Sequence, residues 1–258
     1  MVDLTKQELK KQFIENRGYW NEFWEGLLAL DSKFFQAYLR FSSIPWTDGV
    51  LEPKIKEFIY IAIDSATTHL YEPGLRIHLE NAFKYGATKE EILEVYQLTS
   101  VLGMHTCTVG VPILIEELKN AGMGDEIINE LDENQKFLKT EFIEKRGYWN
   151  EFWEGLLTLD SKFFDAYLKF SSIPWTDGVL EPKVKEFIYI AIDAATTHLY
   201  EPGLRIHIQN AFKYGATKEE IMEVFQLTSV LGMHTCTVGV PILIDEMKRA
   251  NIHLETMK

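Results

Sequence analysis

The chain has 258 residues and a formal net charge of −13 at pH 7. Hydrophobic residues make up 46% of it and charged residues 25%, which are globular proportions and exclude a disordered chain. The acidic balance argues against nucleic acid and anionic membrane surfaces as partners, because both repel a negatively charged protein. No run of about 18 apolar residues and no apolar signal-peptide region near the N-terminus is found, so we predict a cytoplasmic protein without a membrane span.

The chain contains a long internal duplication. Residues 13–122 match residues 142–251 without a gap and with near-identical sequence. This period is far longer than that of a solenoid repeat, so it predicts two copies of one domain about a pseudo-two-fold axis, a covalent version of a homodimer. We place copy 1 at residues 1–122, a connecting segment that could be helical at 123–141, and copy 2 at 142–258.

The first half of a copy shows helical spacing of apolar residues. Asp31 can cap a helix over SKFFQAYLRF. The following SSIPWTDGVLEP carries two prolines and an Asp-Gly pair, which predicts a loop. From Pro53, the segment KIKEFIYIAIDSATTH is apolar nearly all round and predicts a buried helix.

The second half of a copy continues the helical pattern. One helix is predicted from Glu72-Pro73 to Gly86, with proline in its first turn and glycine at its end. Another begins at the capping box Thr88–Glu91 and is broken at Gly103, after which a last helix follows. Because no period-2 strand pattern occurs, we predict an all-α fold of two tandem helical domains.

Several polar residues within these helices could carry chemistry. Glu57, Tyr60 and Asp64 lie three and four residues apart and share one helix face. A carboxylate in a buried helix must find a partner or take up a proton, and a histidine could form an acid–base couple with Glu57. Six of the seven histidines form matched pairs across the copies: His69/His198, His78/His207 and His105/His234.

Simpler interpretations of the same residues stay open. Glu57 could form a structural ion pair with Lys54, Lys56 or Arg76. A lone mid-helix histidine such as His78 is often a satisfied core residue, and Cys107 beside His105 is typical of a small core residue. His69, His78 and His105 could form a metal site, but their spacing does not preform one, and we predict no metal ligands.

Further structural alternatives concern the front of each copy. The aromatic run GYWNEFWEG, at residues 18–26, has helical spacing that is typical of core or inter-copy packing rather than of a ligand platform.

The stretch EPGLRIHLENAFKYGATKEEILEVYQLTSVLGMHTCTVGVPIL resembles the carboxymuconolactone decarboxylase family, relatives of alkylhydroperoxidase D. The matching elements are Glu57 in KEFIYIAI, Glu72–His78, Gly86–Thr88 with the following EEI, and Gly110–Pro112, and all recur in copy 2. The resemblance implies a helical bundle that dimerises intimately. It also implies a homo-oligomer, for which a trimer of two-copy chains is a reasonable expectation.

The resemblance assigns roles to matched residues. Its helix glutamate and histidine match Glu57 and His78, with Glu186 and His207 in copy 2, as the acid–base pair. We add, as candidate substrate-binding residues, a set around these pairs: Arg76, His69, Tyr71, His105, Arg205, His198, Tyr200 and His234. Arginine is included because it can hold a carboxylate through two parallel hydrogen bonds.

The sequence departs from the peroxidase branch of this family. Tyr71 and Gly74 stand where that branch has its Cys-x-x-Cys, so disulfide-based peroxide reduction at this position is excluded. The remaining branch looks cofactor-free and implies a lyase, decarboxylase or isomerase acting on a small organic acid or lactone. Two alternatives stay open: a thiol- or metal-dependent oxidoreductase that uses Cys107 and Cys236, and a non-catalytic helical scaffold that binds a small molecule.

Overall fold

The structure is a computed structural model that describes residues 4–123 and 130–252. Within these ranges it contains fourteen α-helices and no β-strand, which confirms the predicted all-α fold with two tandem copies. The helices of copy 1 are α1 (Lys6–Arg17), α2 (Phe23–Leu30), α3 (Ser32–Thr47), α4 (Pro53–Ser65), α5 (Glu72–Lys84), α6 (Lys89–Ser100) and α7 (His105–Asn120). Those of copy 2 are α8 (Glu133–Arg146), α9 (Phe152–Leu159), α10 (Ser161–Thr176), α11 (Pro182–Ala194), α12 (Glu201–Lys213), α13 (Lys218–Ser229) and α14 (His234–Arg249).

The helix boundaries follow the local signals of the sequence. The Asp31 side chain accepts a hydrogen bond from the Phe34 amide at 2.9 Å and so caps α3. Thr88 and Glu91 form a capping box at α6. Gly86, which follows α5, has a φ of +80°, a left-handed conformation that glycine adopts without strain. A single 3₁₀ turn, Val101–Met104, separates α6 from α7 at the predicted break.

Two predicted boundaries are wrong. Residues 42–47, predicted as loop, form the last turns of α3 even though Pro45 lies among them. Pro45 removes only one backbone donor near the helix end, it is buried, and its carbonyl accepts a hydrogen bond from Lys56. The helix predicted through His69 ends at Ser65, because Ala66 leaves the helical conformation with a ψ of 135°. The chain then turns at Leu70, which has a φ of +50°.

The connecting segment is described only in part. Its residues 124–129, for which a helix is possible from sequence, lie outside the described residues. α8 begins at Glu133 within the predicted segment and continues to Arg146, and it occupies in copy 2 the place that α1 occupies in copy 1. Leu138 and Phe142 of α8 are buried in the same way as Leu9 and Phe13 of α1.

The two copies exchange their final helices. α14 of copy 2 packs on α2 of copy 1, and α7 packs on α9. Met233 is buried in the cluster formed by the leading helices of copy 1, and a Cβ on Gly26 would lie 2.7 Å from Ile244 Cδ1. Each half of the folded molecule therefore contains the front helices of one copy and the last helix of the other.

A buried ion pair also crosses between the copies. Glu223 of α13 lies 2.9 Å from Lys56 Nζ of α4. Its other oxygen accepts hydrogen bonds from the amides of Val50 and Leu51, at 2.6 and 2.8 Å. Glu94 and Lys185 repeat the pair in the other half. These contacts fix the start of α4, the helix that carries the candidate acid–base glutamate.

The expectation that no stretch could cross a membrane needs correction. Two continuous helical stretches, Lys89–Asn120 and Lys218–Arg249, are long and apolar enough to do so by length and composition. In this structure, both contribute to the helical core and to the contacts between copies. Two such stretches, judged by length and composition alone, are weak evidence for a membrane span.

Candidate functional site

The polar face of α4 surrounds His78 of α5. The His78 Nδ1–H group donates a hydrogen bond to Glu57 Oε2 at 2.6 Å. The Tyr60 ring stacks on the imidazole with 4.3 Å between centroids, and Asp64 Oδ2 lies 4.0 Å from His78 Nε2. All four side chains are buried. The predicted shared face of Glu57, Tyr60 and Asp64 is thus assembled around one histidine.

The same contacts decide against the structural ion pairs considered for Glu57. Lys54 pairs with Glu91, and Lys56 pairs with Glu223. Arg76 lies on the exposed side of α5 and pairs with Glu72. The described lysine and arginine candidates therefore have other partners, and His78 is the residue that bonds to Glu57.

The last helix of the other copy completes the site. His234 Nδ1 lies 2.7 Å from His69 Nε2, and the His234 ring stacks on Tyr71 with 3.8 Å between centroids. The Tyr71 hydroxyl is hydrogen-bonded to Thr237. The second site repeats this arrangement with the copies exchanged: His105 lies 2.6 Å from His198 and stacks on Tyr200. Each site therefore needs both copies.

Burial sets the charge state of the groups around His78. It raises the pKa of Asp64 to about 7, with the charge of Glu57 acting in the same direction and His78 opposing it. Burial lowers the pKa of His234 to about 3, and the neighbouring His69 and His78 lower it further. His234 is therefore neutral at pH 7, whereas the carboxyl group of Asp64 holds its proton to a much higher pH than an exposed aspartate does.

A narrow cavity of about 30 Å³ lies beside His78. It is lined from copy 1 by Arg17, Tyr38, Tyr60 and Tyr71, and from copy 2 by residues that include His234. Since a water molecule occupies about 30 Å³ in the liquid, the cavity is of water size in this structure. The equivalent cavity beside His207 is also about 30 Å³.

Arg17 is a functional candidate that the sequence analysis missed. Its side chain is buried, with the guanidinium carbon 5.4 Å from the Trp46 ring centroid and 5.7 Å from that of Tyr60. Its Nη1 is 3.4 Å from the Ser42 carbonyl, and its Nε makes no hydrogen bond among the described residues. Helical spacing from Leu9 and Phe13 places Arg17 on the buried face of α1, and this signal could have identified it.

The predicted substrate-binding residues divide into two groups. The structure brings His69 and Tyr71 together with His234, and His198 and Tyr200 together with His105. It does not bring Arg76 or Arg205 to the cavities, because each pairs with a glutamate one turn away on an exposed helix face. Arg17 and Arg146 are the arginines that line the cavities instead.

The positions of the missing Cys-x-x-Cys have a packing role. A Cβ at Gly74 would meet Asp64 Oδ2 and would lie 2.7 Å from Tyr71 Cδ1, so only glycine allows this approach. Cys107 and Cys236 are free, half-buried thiols on α7 and α14. Cys236 packs beside the apolar cluster of copy 1, as a small core residue does.

The structure also changes which residues could bind a metal ion. His69 does not meet His105, the partner considered from sequence, but meets His234 of the other copy. Asp64, His69 and His234 offer ligand atoms within 4.8 Å of one another, and His105, Asp193 and His198 do the same. Two mixed histidine–carboxylate clusters thus lie beside the two cavities.

These features belong to a known class of protein. The carboxymuconolactone decarboxylase family profile matches residues 32–112 and 161–233, and the chain belongs to this family. Among solved structures, it is similar to a protein from Burkholderia xenovorans LB400, described provisionally as a gamma-carboxymuconolactone decarboxylase subunit. The two share 45% identity over 96% of this chain and 99% of the other, with a TM-score of 0.93. A comparison with curated proteins gave no match.

Proposed function

We propose that the protein is a decarboxylating lyase or an isomerase that acts on a small organic acid or lactone by acid–base catalysis, with two equivalent sites. The observation that carries the proposal is the buried hydrogen bond of 2.6 Å between His78 Nδ1 and Glu57 Oε2. Its counterpart joins His207 and Glu186 at 2.7 Å. Family membership and the provisional description of the Burkholderia protein support the same reaction class.

The pair is arranged for proton transfer at one ring nitrogen. The Glu57 carboxylate accepts the Nδ1–H bond, which fixes the tautomer and leaves Nε2 free to exchange a proton. In a decarboxylation, the bond from carbon to the carboxylate breaks, CO₂ leaves, and the electron pair stays on the substrate as an enolate. The imidazolium form of His78, which also carries a proton on Nε2, then donates that proton to the carbon, and a proton taken up from solvent restores it, so that each turnover consumes one proton.

Arg17 is the proposed anchor for the substrate carboxylate. A guanidinium recognises a carboxylate through paired hydrogen bonds, and Arg17 has an unpartnered Nε among the described residues. The aromatic rings around it exclude water and strengthen the attraction. An organic acid is larger than the cavity of about 30 Å³, so its binding requires lining side chains to move.

The test is turnover on a panel of carboxylated lactones and keto acids. The variant His78→Ala with His207→Ala is expected to lower kcat by about 100-fold or more, the usual contribution of a positioned acid or base. Arg17→Met with Arg146→Met is expected to raise KM. The matched control, Arg76→Ala with Arg205→Ala, is expected to leave both constants unchanged, because these arginines are exposed and paired with surface glutamates. Undiminished turnover in a folded histidine variant would refute the proposal.

The second candidate function is a non-catalytic helical scaffold that binds a small molecule, and the nearly filled surroundings of His78 support its non-catalytic character, because they leave little room for a reacting substrate. In that case no compound on the panel would turn over, while a ligand that fits the cavity would still raise the melting temperature. The thiol-dependent oxidoreductase is tested by peroxide turnover in the Cys107→Ser and Cys236→Ser variant. Loss of that turnover would favour the oxidoreductase over both other functions.

We also propose a cytoplasmic homo-oligomer, with a trimer of chains as the expected form. Its support is a set of large apolar side chains left exposed on the matched helices α3 and α10: Phe34, Phe41, Ile44, Phe163, Phe170 and Ile173. Exposed apolar patches of this kind are typical of interfaces between subunits. Light scattering coupled to gel filtration measures the mass, and a monomer of 29.9 kDa would contradict the proposal.

A further inference from the structure

We propose that each half of the molecule binds one divalent transition-metal ion between the copies, held by Asp64, His69 and His234 in one half. The second site consists of Asp193, His198 and His105. In the first site the two histidine nitrogens are 2.7 Å apart, and His234 Nδ1 is 3.8 Å from Asp64 Oδ1. The chemistry that fits is a first-row ion such as Zn²⁺ or Co²⁺.

The Asp64 carboxylate is buried without a hydrogen-bond partner in the described part of the chain. Its side chain is 1% exposed, and neither of its oxygens accepts a hydrogen bond from any described residue. The nearest basic groups are the nitrogens of His234 and His78, at 3.8 and 4.0 Å. Buried carboxylates are normally paired, hydrogen-bonded or bound to a metal ion. An ion between Asp64 and the histidines would supply the missing partner.

The ligand types and their spacing also suit a metal ion. Two neutral imidazoles and one carboxylate form a set that divalent first-row metals use, with further positions left for water or a ligand. Two atoms that each lie about 2.1 Å from one ion can be no more than about 4.2 Å apart. The measured 2.7 and 3.8 Å are therefore within reach of a shared ion. Asp64 and His69 come together within 4.8 Å and need only a small side-chain movement.

The backbone turn between α4 and α5 brings these ligands close together. After α4 the chain makes a turn in which Tyr71 N–H donates to the Asp64 carbonyl at 2.8 Å, and Leu70 has a φ of +50°. A left-handed conformation is uncommon for leucine, and such strain is concentrated at functional sites. This turn directs His69 towards α14 of the other copy. Gly74 leaves the space that Asp64 occupies.

An ion could reach the site from solvent. His69 and His234 are half-buried rather than buried, so the cluster opens on one side. The two turns meet near the pseudo-two-fold axis, where Thr68 Oγ1 and Thr197 Oγ1 are 3.4 Å apart. Two ions, one on each side of this axis, would therefore tie the strained turns to the final helices. A hydrogen bond between His69 and His234 would satisfy those two rings without an ion, but it would leave Asp64 unpartnered.

The test uses untagged full-length protein, stripped with a chelator and titrated with Co²⁺ alone while visible absorption is recorded. We expect two Co²⁺ ions per chain, displaced by Zn²⁺. The conservative variant Asp64→Asn with Asp193→Asn is expected to weaken Co²⁺ binding by about 10-fold or more while the fold is kept. Cys107→Ser with Cys236→Ser is the control and is expected to keep both ions, because the thiols are not ligands. This measurement needs no turnover, so its outcome is independent of the proposed lyase activity.

Paired histidine variants test whether the ligands come from different copies. His69→Ala with His234→Ala removes two ligands from one site and is expected to leave one ion per chain. His69→Ala with His105→Ala removes one ligand from each site and is expected to leave none. Circular dichroism verifies that each variant is folded. Absence of Co²⁺ binding by the folded wild type, loss of binding in the cysteine variant, or equal stoichiometry in the two histidine variants would overturn the proposal.

Discussion

The cross-copy ion pair between Lys56 and Glu223 gives the sharpest prediction about stability. The side chains are 5% and 3% exposed, and Lys56 Nζ is 2.9 Å from Glu223 Oε1. Replacing Glu223 by glutamine keeps the shape and removes the charge. Lys56 would then be a buried cation whose remaining described contacts are the Pro45 carbonyl and the Trp46 ring, whose centroid is 5.4 Å from Nζ. The removal of one partner from a buried pair destabilises a protein by about 3–5 kcal/mol.

This magnitude can be measured by thermal and chemical unfolding. For a chain of this size, a loss of 1 kcal/mol lowers the melting temperature by roughly 2–4 °C, so Glu223→Gln is expected to lower it by about 6–20 °C. The control is Glu80→Gln, which removes an exposed pair with Lys84 and is expected to change the free energy of unfolding by less than about 0.5 kcal/mol. The double variant Glu223→Gln with Lys56→Met should recover part of the loss. A folded Glu223→Gln protein within about 1 kcal/mol of wild type would refute the reasoning.

Two further predictions concern Asp64 and its surroundings. Gly74→Ala is expected to destabilise the protein by about 1–3 kcal/mol, because the added methyl group meets Asp64, whereas Gly103→Ala has open space and should be tolerated in thermal melts; equal effects would contradict this. In chelator-treated protein, burial raises the pKa of Asp64 from 3.8 to about 7, so the folded state keeps a proton that the unfolded state loses. The retained proton contributes about 4 kcal/mol per site to the free energy of unfolding, a net value in which His78 opposes burial and Glu57 reinforces it. This stabilisation is fully present below pH 4 and is lost as the pH rises through 7. Asp64→Asn should therefore melt higher than wild type at pH 8 and show little difference at pH 4; a difference that does not depend on pH would count against the buried-carboxylate argument.

The local sequence determined the helices because their signals act over a few residues. The caps at Asp31 and Thr88 and the glycine after α5 act through hydrogen bonds and backbone angles within one turn. The prediction failed at Pro45 for a non-local reason: a proline usually ends a helix, but here its burial and the hydrogen bond from Lys56 outweigh the one lost donor. Tertiary contacts, which no local pattern contains, decided that boundary.

The candidate site shows a similar division. Periodicity placed Glu57, Tyr60 and Asp64 on one face, and the structure adds the 2.6 Å contact that pairs Glu57 with His78 rather than with a lysine. Helical spacing with Leu9 and Phe13 marks Arg17 as buried, but its place beside His78 could not be read from sequence, because Arg17 is on another helix while Arg76 stands only two residues from His78. A helix turns by about 100° per residue, so two residues separate the Arg76 and His78 side chains by about 200° and place Arg76 on the exposed side of α5.

By itself, the sequence determined an all-α chain of two near-identical copies. Helical periodicity and the duplication are both patterns along the chain, so they can be recognised without knowing any contact in space. Only the tertiary structure decided that each site is shared between the copies. The near-identity of the copies leaves the partner of each final helix undefined in sequence, because α7 and α14 have almost the same surface. Connection geometry and packing place α14 against copy 1, and this exchange brings His234 to His69 and Asp64.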